Sequence, residues 1–226
     1  MGKVTALRTR IGRGKRVSVF LDDRLAFSLE TEVAEKEGLK VGQTLSEAQI
    51  EALAKANHLQ RCLNAAVRLL GYRPRSESEL RERLSRQGFD DDTQGKVLIK
   101  LTGQGLVDDT AFTRFWRENR ESFRPRSRRM TRLELKRKGV ADEIITQVVG
   151  TIDDEDSAYR AALKKARSLK RSDYESFRRR LGEYLRRRGF SYGVISHTVE
   201  KIWQDQESSE IELESVSHQT SPPLPE

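Results

Sequence analysis

The sequence predicts a mainly α-helical protein: a small N-terminal β-hairpin and helix module, then tandem three-helix repeats in an elongated, curved array. Three observations carry this prediction. Hydrophobic and charged residues each make up 35% of the 226 residues, which is lean for one wide core but enough for several thin helical layers. Strong helix formers, Arg, Leu, Glu, Lys and Ala, dominate the middle of the chain. One segment also recurs with a period of about 50 residues, the mark of a repeat architecture. Its copies are Leu84-Ser85-Arg86-Gln87-Gly88-Phe89, Leu135-Lys136-Arg137-Lys138-Gly139-Val140 and Leu185-Arg186-Arg187-Arg188-Gly189-Phe190.

The N-terminal module, residues 1–57, opens with strands. Gly12-Arg13-Gly14 reads as a turn, and Val17, Val19 and Leu21 alternate with Ser18, Phe20 and Asp22. Asp22-Asp23-Arg24 forms a second turn before Leu25-Ala26-Phe27-Ser28-Leu29. A helix then ends near Gly38, and another starts at Ser46, with Ile50, Leu53 and Ala54 on one face.

The first repeat is expected over 58–107. Leu63, Ala66, Val67 and Leu70 recur at helical spacing, and Cys62 beside them reads as a small buried hydrophobe. Pro74 cannot continue that helix. Ser76, with Glu79 three residues on, caps the next one; Leu80 and Leu84 face inward, and Gly88 ends it. Val97, Leu98 and Leu101 mark the third helix. Arg73-Pro74-Arg75-Ser76 returns as Arg124-Pro125-Arg126-Ser127 in the second repeat, 108–152. That repeat opens at Asp109, points Phe112, Phe115 and Trp116 inward, and closes on Ile144, Ile145, Val148 and Val149. The third repeat, 153–203, has Ala158, Ala162 and Leu163 on one helix, Phe177, Leu181, Tyr184 and Leu185 on the next, and Ile195, Val199 and Ile202 on the last. Regular structure is expected to end at Trp203. Residues 204–226 are acidic, lack periodicity and finish in Pro222-Pro223-Leu224-Pro225, the composition of a disordered tail.

Enzyme signatures are missing, and no cofactor or metal is expected. His58, His197 and His218 are scattered, one cysteine cannot build a zinc site of the usual kind, and Gly12-Arg13-Gly14-Lys15 lacks the spacing of a phosphate loop. Asp90-Asp91-Asp92 and Asp153-Asp154-Glu155-Asp156 each precede a helix, where acids meet the positive end of its dipole. Nuclease chemistry at such carboxylates is the least favoured alternative. With a lone cysteine, no signal peptide and no apolar run long enough for a membrane span, a cytoplasmic monomer without membrane contact is expected.

Charge is the stronger functional signal. All 43 Lys and Arg precede Gln204, while six of the 35 acids follow it, so the net +8 understates how basic the body is. An anionic partner is expected. The candidate contact residues are Arg73, Arg75, Arg124, Arg126, Arg128, Arg129, Arg132, Arg186, Arg187 and Arg188, whose guanidinium forks suit phosphate and carboxylate alike. In the third repeat only Glu175 and Glu183 lie close enough in sequence to neutralise them. Phe123 and Tyr192 can stack on bases, but completing the core at repeat junctions is the favoured role. A stand-alone DNA-binding protein built on helix-turn-helix-like units is the alternative reading. Asp90–Asp92 and Ala141-Asp142-Glu143, at the starts of third helices, count against it because they would present acid to DNA.

The chain resembles the RecX family over roughly residues 4–203. The resemblance rests on Lys15-Arg16-Val17-Ser18-Val19-Phe20-Leu21-Asp22 and on Arg73-Pro74-Arg75-Ser76-Glu77-Ser78-Glu79-Leu80, with Leu84 and Gly88-Phe89 after it. Gly105-Leu106-Val107-Asp108-Asp109 with Phe112 and Trp116, and Arg187-Arg188-Gly189-Phe190, complete it. It implies a non-enzymatic modulator of homologous recombination and DNA repair. Such a protein lies along the groove of a RecA filament on single-stranded DNA and inhibits its ATP hydrolysis, strand exchange and growth. Single-stranded DNA, and duplex DNA as well, are implied as partners alongside the RecA filament. The long acidic tail is not part of the family's usual pattern.

Overall fold

The structure, a computed structural model, describes residues 1–10, 16–169 and 173–218, apart from the side chains of 10 and 209–218. The expected Gly12–Gly14 turn and residues 219–226 lie outside the described residues. The chain divides into two compact units, Met1–Asp108 and Asp109–Glu226.

The first unit begins with β1 (Gly2–Arg10), β2 (Arg16–Leu21) and β3 (Arg24–Glu30). Asp22 and Asp23 both take positive φ, 48° and 64°. That is the backbone of a tight hairpin turn, which aspartate tolerates better than most residues. Register pairs Val17 with Leu29 and Val19 with Phe27, so one sheet face is apolar. After α1 (Thr31–Lys36), the two-residue β4 (Thr44–Leu45) adds to the far side of β1, giving an antiparallel sheet of order β3-β2-β1-β4. Val4, Val19, Leu29, Val33, Leu45 and Leu53 form its core.

Leu53 belongs to α2 (Glu47–Tyr72), a helix of 26 residues. Ser46 starts it with a reciprocal capping box to Gln49. Sequence patterning suggests two helices here, one on each side of residue 57. The structure has one, because no glycine or proline lies between Glu47 and Leu70 and its two halves bury different faces. The second half packs Cys62, Ala65 and Ala66 against α3 (Glu77–Ser85) and α4 (Asp91–Gly103), where Leu80, Leu84, Val97, Leu98 and Leu101 complete the first repeat's core. Val67, expected to face inward, is 47% exposed.

In the second unit, α5 (Asp109–Phe123), α6 (Arg128–Arg137) and α7 (Asp142–Val149) enclose Phe112, Leu135, Val140, Ile145 and Val149. The third repeat consists of α8 (Asp154–Ala166), α9 (Tyr174–Arg187) and α10 (Tyr192–His218) around Ala158, Ala161, Ala162, Phe177, Leu181, Leu185, Val199 and Ile202. Four alanines and Ser157 make the buried stripe of α8, and Leu163 lies outside it, half exposed. α10 continues as helix past Trp203, where regular structure was expected to end. Trp203 Nε1 donates to Glu207 at 2.7 Å and Tyr159 Oη to Asp205 at 2.9 Å, which ties the first turn beyond Trp203 to the repeat.

The recurring glycine has one physical meaning in all three copies. Gly88, Gly139 and Gly189 take φ of 85°, 71° and 87°, the left-handed conformation that ends a helix. The next residue then folds back. Phe89, Val140 and Phe190 donate from N–H to the carbonyls of Leu84, Leu135 and Leu185, and all three side chains are buried.

Candidate functional site

The repeated Arg-Pro-Arg-Ser segments precede α3 and α6, where each serine is fully buried and accepts a hydrogen bond from the backbone three residues on. The arginines around them have different fates. In the first repeat, Arg75 is 7% exposed and pairs at 2.6 Å with Glu79, itself 6% exposed. Its Nε donates to the Leu69 carbonyl at 3.0 Å. Arg73 joins the same carboxylate, as does Arg83 at 3.4 Å. Arg73 and Arg75, expected as contact residues, are therefore engaged within the first repeat. Their partner is also the residue that suggested a cap in the sequence.

The second repeat moves the acid. Glu134, on the inner side of α6, receives Arg126 at 2.5 Å, Arg120 at 2.7 Å and the Trp116 indole N–H at 2.9 Å. Arg120 stacks over Trp116, 4.6 Å from the ring centroid. Arg128 donates through its side chain to the Ile152 carbonyl, and its backbone N–H bonds to Asp154 at 2.6 Å. Arg132 donates to Thr146 Oγ1 at 3.0 Å.

The second and third repeats meet where α9 ends and α6 begins. The Arg188 carbonyl accepts from the Ser127 N–H at 3.1 Å, and Gly189 lies against Ser127 and Met130. This contact gathers Arg124, Arg126, Arg187 and Arg188 into one positive cluster. Burial lowers the Arg188 pKa, while Tyr184 opposes that and Arg126, Arg187 and Arg124 add to it. The Arg188 guanidinium stacks 3.7 Å from the Tyr184 ring centroid. Among the described residues Arg187 pairs only with Glu183, at 3.9 Å. Arg124, Arg129 and Arg186 are exposed and make no ion pair among the described residues. α6 also lacks an acid in its first turn, where α3 has two, so the positive end of its dipole adds to the cluster instead of being neutralised.

Two aromatic residues expected to complete the core are exposed: Phe123 at 68%, next to Arg124, and Tyr192 at 78%. Both sit at helix ends, where periodicity says little about which way a side chain faces. Tyr192 borders a cleft between α9 and α10 whose rim includes Arg178, Arg179 and Arg186. The first two were visible in sequence as part of a basic run, without a sign that a cleft lay beside them.

The acidic clusters cap helices. Asp90 accepts from the Thr93 N–H at 2.9 Å, and Asp153 from the Glu155 N–H at 2.8 Å. Cys62 is fully buried, and burial pushes its thiol up to about 11. His197 is exposed. Among the described residues no group of three His, Cys, Asp or Glu side chains could hold a metal ion. No described helix is long and apolar enough to cross a membrane.

Three models of one family match the chain in tandem: the first three-helix domain of RecX at residues 62–101, the second at 108–149 and the third at 153–199. The chain belongs to the RecX family. The regulatory protein RecX of Clostridium perfringens strain SM101 is 26% identical over 207 residues, covering 89% of this chain and 97% of the relative. That of Listeria monocytogenes strain F2365 is 29% identical over 171 residues, 76% of this chain and 64% of the relative. A crystal structure of regulatory protein RecX shares the fold with a TM-score of 0.63 at 22% identity, over 88% of this chain and all of that one. RecX from Lactobacillus salivarius has a TM-score of 0.54 at 21% identity, over 65% of this chain and 97% of that one. Family membership makes the chain a regulator rather than an enzyme, built on the three-helix repeats that the models match one by one.

Proposed function

We propose that this regulator binds the RecA nucleoprotein filament through the arginine cluster of its second and third repeats, and that binding inhibits ATP hydrolysis, strand exchange and filament growth. One observation carries the reading. Among the described residues Arg124, Arg129 and Arg186 make no ion pair, and Arg124 stands in one positive cluster with Arg187 and Arg188, in a family of regulatory proteins whose name pairs with that recombinase. A filament offers both phosphate and acidic protein surface, and guanidinium groups take either in a forked geometry. Single-stranded DNA within the filament is the phosphate source this reading favours, and exposed Phe123 supplies a ring for base stacking at its edge.

The test is the DNA-dependent ATPase of the cognate recombinase with increasing amounts of this protein. Inhibition is expected below one copy per recombinase subunit. Replacing Arg124, Arg129 and Arg186 together by Glu should raise the concentration needed at least tenfold. Full inhibition by the triple variant would overturn the site. Binding to single-stranded DNA alone should lose salt dependence in the same variant, by about 2 in the slope of log K against log salt.

A second reading has one observation in its favour. Unlike α4 and α7, α10 opens without an acid in its first turn, so the third repeat alone could approach a duplex groove as a helix-turn-helix unit does. A sequence-specific footprint without recombinase would favour it.

A further inference from the structure

The cleft between α9 and α10 has a volume of about 290 Å³. Ile195 and Val199 form its floor, and Gly182 leaves room above them, since a Cβ there would stand 3.6 Å from Ile195 Cγ2. On the rim, Arg178 reaches Glu175 at 3.5 Å, while Arg179 and Arg186 make no ion pair among the described residues. Glu183, also at the rim, is drawn toward Arg187 at 3.9 Å. An apolar floor inside a cationic rim suits an occupant that sets acids around an apolar anchor. A nucleobase suits it less well, because the polar edge of a base would find few partners on such a floor.

The chain carries a segment of that chemistry. Glu210-Ile211-Glu212-Leu213-Glu214 interleaves two apolar residues with three acids, and no lysine or arginine follows Lys201. The segment cannot reach the cleft of its own chain. Both belong to the unbroken helix α10, and at the helical rise Glu210 to Glu214 lie about 21 to 27 Å beyond Ser196 at the cleft. We propose that this acidic segment of one copy docks in the α9–α10 cleft of a second copy, so that the chain self-associates tail to cleft in place of the expected monomer. Arg178, Arg179 and Arg186 receive the glutamates, and the apolar floor takes Ile211 or Leu213. The association needs neither recombinase nor DNA, so it stands or falls separately from filament binding.

Size exclusion with light scattering on the full chain tests it. At low salt the mass should rise with concentration above the 26.0 kDa of one chain, and high salt should return it to that value. Two variants separate the halves of the contact: a chain ending at Ser208, which keeps the cleft, and a full chain with Arg178, Arg179 and Arg186 replaced by Glu, which keeps the segment. Each alone should be monomeric, with an unchanged circular dichroism spectrum. Mixed, they should form a heterodimer of roughly twice the monomer mass, because one intact cleft then meets one intact segment. A full chain that stays monomeric at low salt, a truncated chain that still associates, or a mixture that stays monomeric would each overturn the proposal. So would a cleft variant that loses only binding to a single-stranded oligonucleotide, which would make the cleft a nucleic-acid site.

Discussion

Glu79, in the first turn of α3, and Asp90, at the start of α4, stand eleven positions apart and act on the fold in opposite ways. Glu79 is buried with Arg75 and also holds Arg73 and Arg83. Replacing it by Leu strands a buried guanidinium, so a loss of about 3 kcal/mol is expected in urea unfolding. Changing Arg75 to Met as well should recover much of it, because replacing both partners removes the unpaired charge. A double variant no more stable than the single one would show that the arginine has another anchor. Asp90 sits at the surface, where the backbone N–H and hydroxyl of Thr93, with the His58 ring, hold its carboxyl down to about 2. A folded value below the unfolded one, about 3.9, means that the charged form favours the native state. Its contribution is complete above about pH 5 and is lost progressively as pH falls through the unfolded value towards the folded one of about 2. The stability advantage over Asp90→Asn, which keeps the cap but not the charge, should therefore shrink between pH 5 and 2 in thermal unfolding. A constant difference would contradict this. Caps were legible in sequence because their chemistry spans three residues. The roles of Arg73 and Arg75 were not, because nothing local indicates that Glu79 is buried.

Among the elements, the three glycine-terminated helices share a backbone geometry but not their surroundings. A Cβ at Gly88 meets nothing within 4 Å, whereas at Gly189 it would stand 2.7 Å from Ser127 Oγ and 3.0 Å from Met130 Cβ. Gly88→Ala should cost only the left-handed backbone penalty, about 1 kcal/mol. Gly189→Ala should cost clearly more, because it also pushes α9 away from the start of α6. Equal losses in denaturant midpoints would mean that the contact between the two repeats yields easily. Helix existence and most inward faces could be read from periodicity. The joint between second and third repeats could not, since Ser127 and Arg188 are far apart in sequence. Nor could β4, whose two residues carry no pattern. The faces of α2 and α8 were read askew, at Val67 and Leu163, because small residues such as Ala65 and Ala161 mark a buried stripe as well as larger ones do when helices pack closely.

For the whole molecule, each of the two units carries cores of its own. Both tryptophans of the chain, Trp116 and Trp203, belong to the second unit. Indole fluorescence therefore reports on that unit alone, while far-ultraviolet circular dichroism follows both. Glu79→Leu should advance part of the dichroism transition and leave the fluorescence transition in place; Gly189→Ala should move the fluorescence transition. If both probes moved together in both variants, the chain would unfold as one cooperative body.

Helix α2 bears on how the first unit can be divided. Its first turns roof the sheet and its last turns wall the first repeat, over a length of about 39 Å. A protein trimmed to begin at residue 58 would leave Cys62, Ala65 and Ala66 on a frayed stub that has lost its Ser46 start. Any fragment meant to preserve the first repeat should keep the helix whole, and any clip by a protease inside it would loosen the sheet and the repeat together.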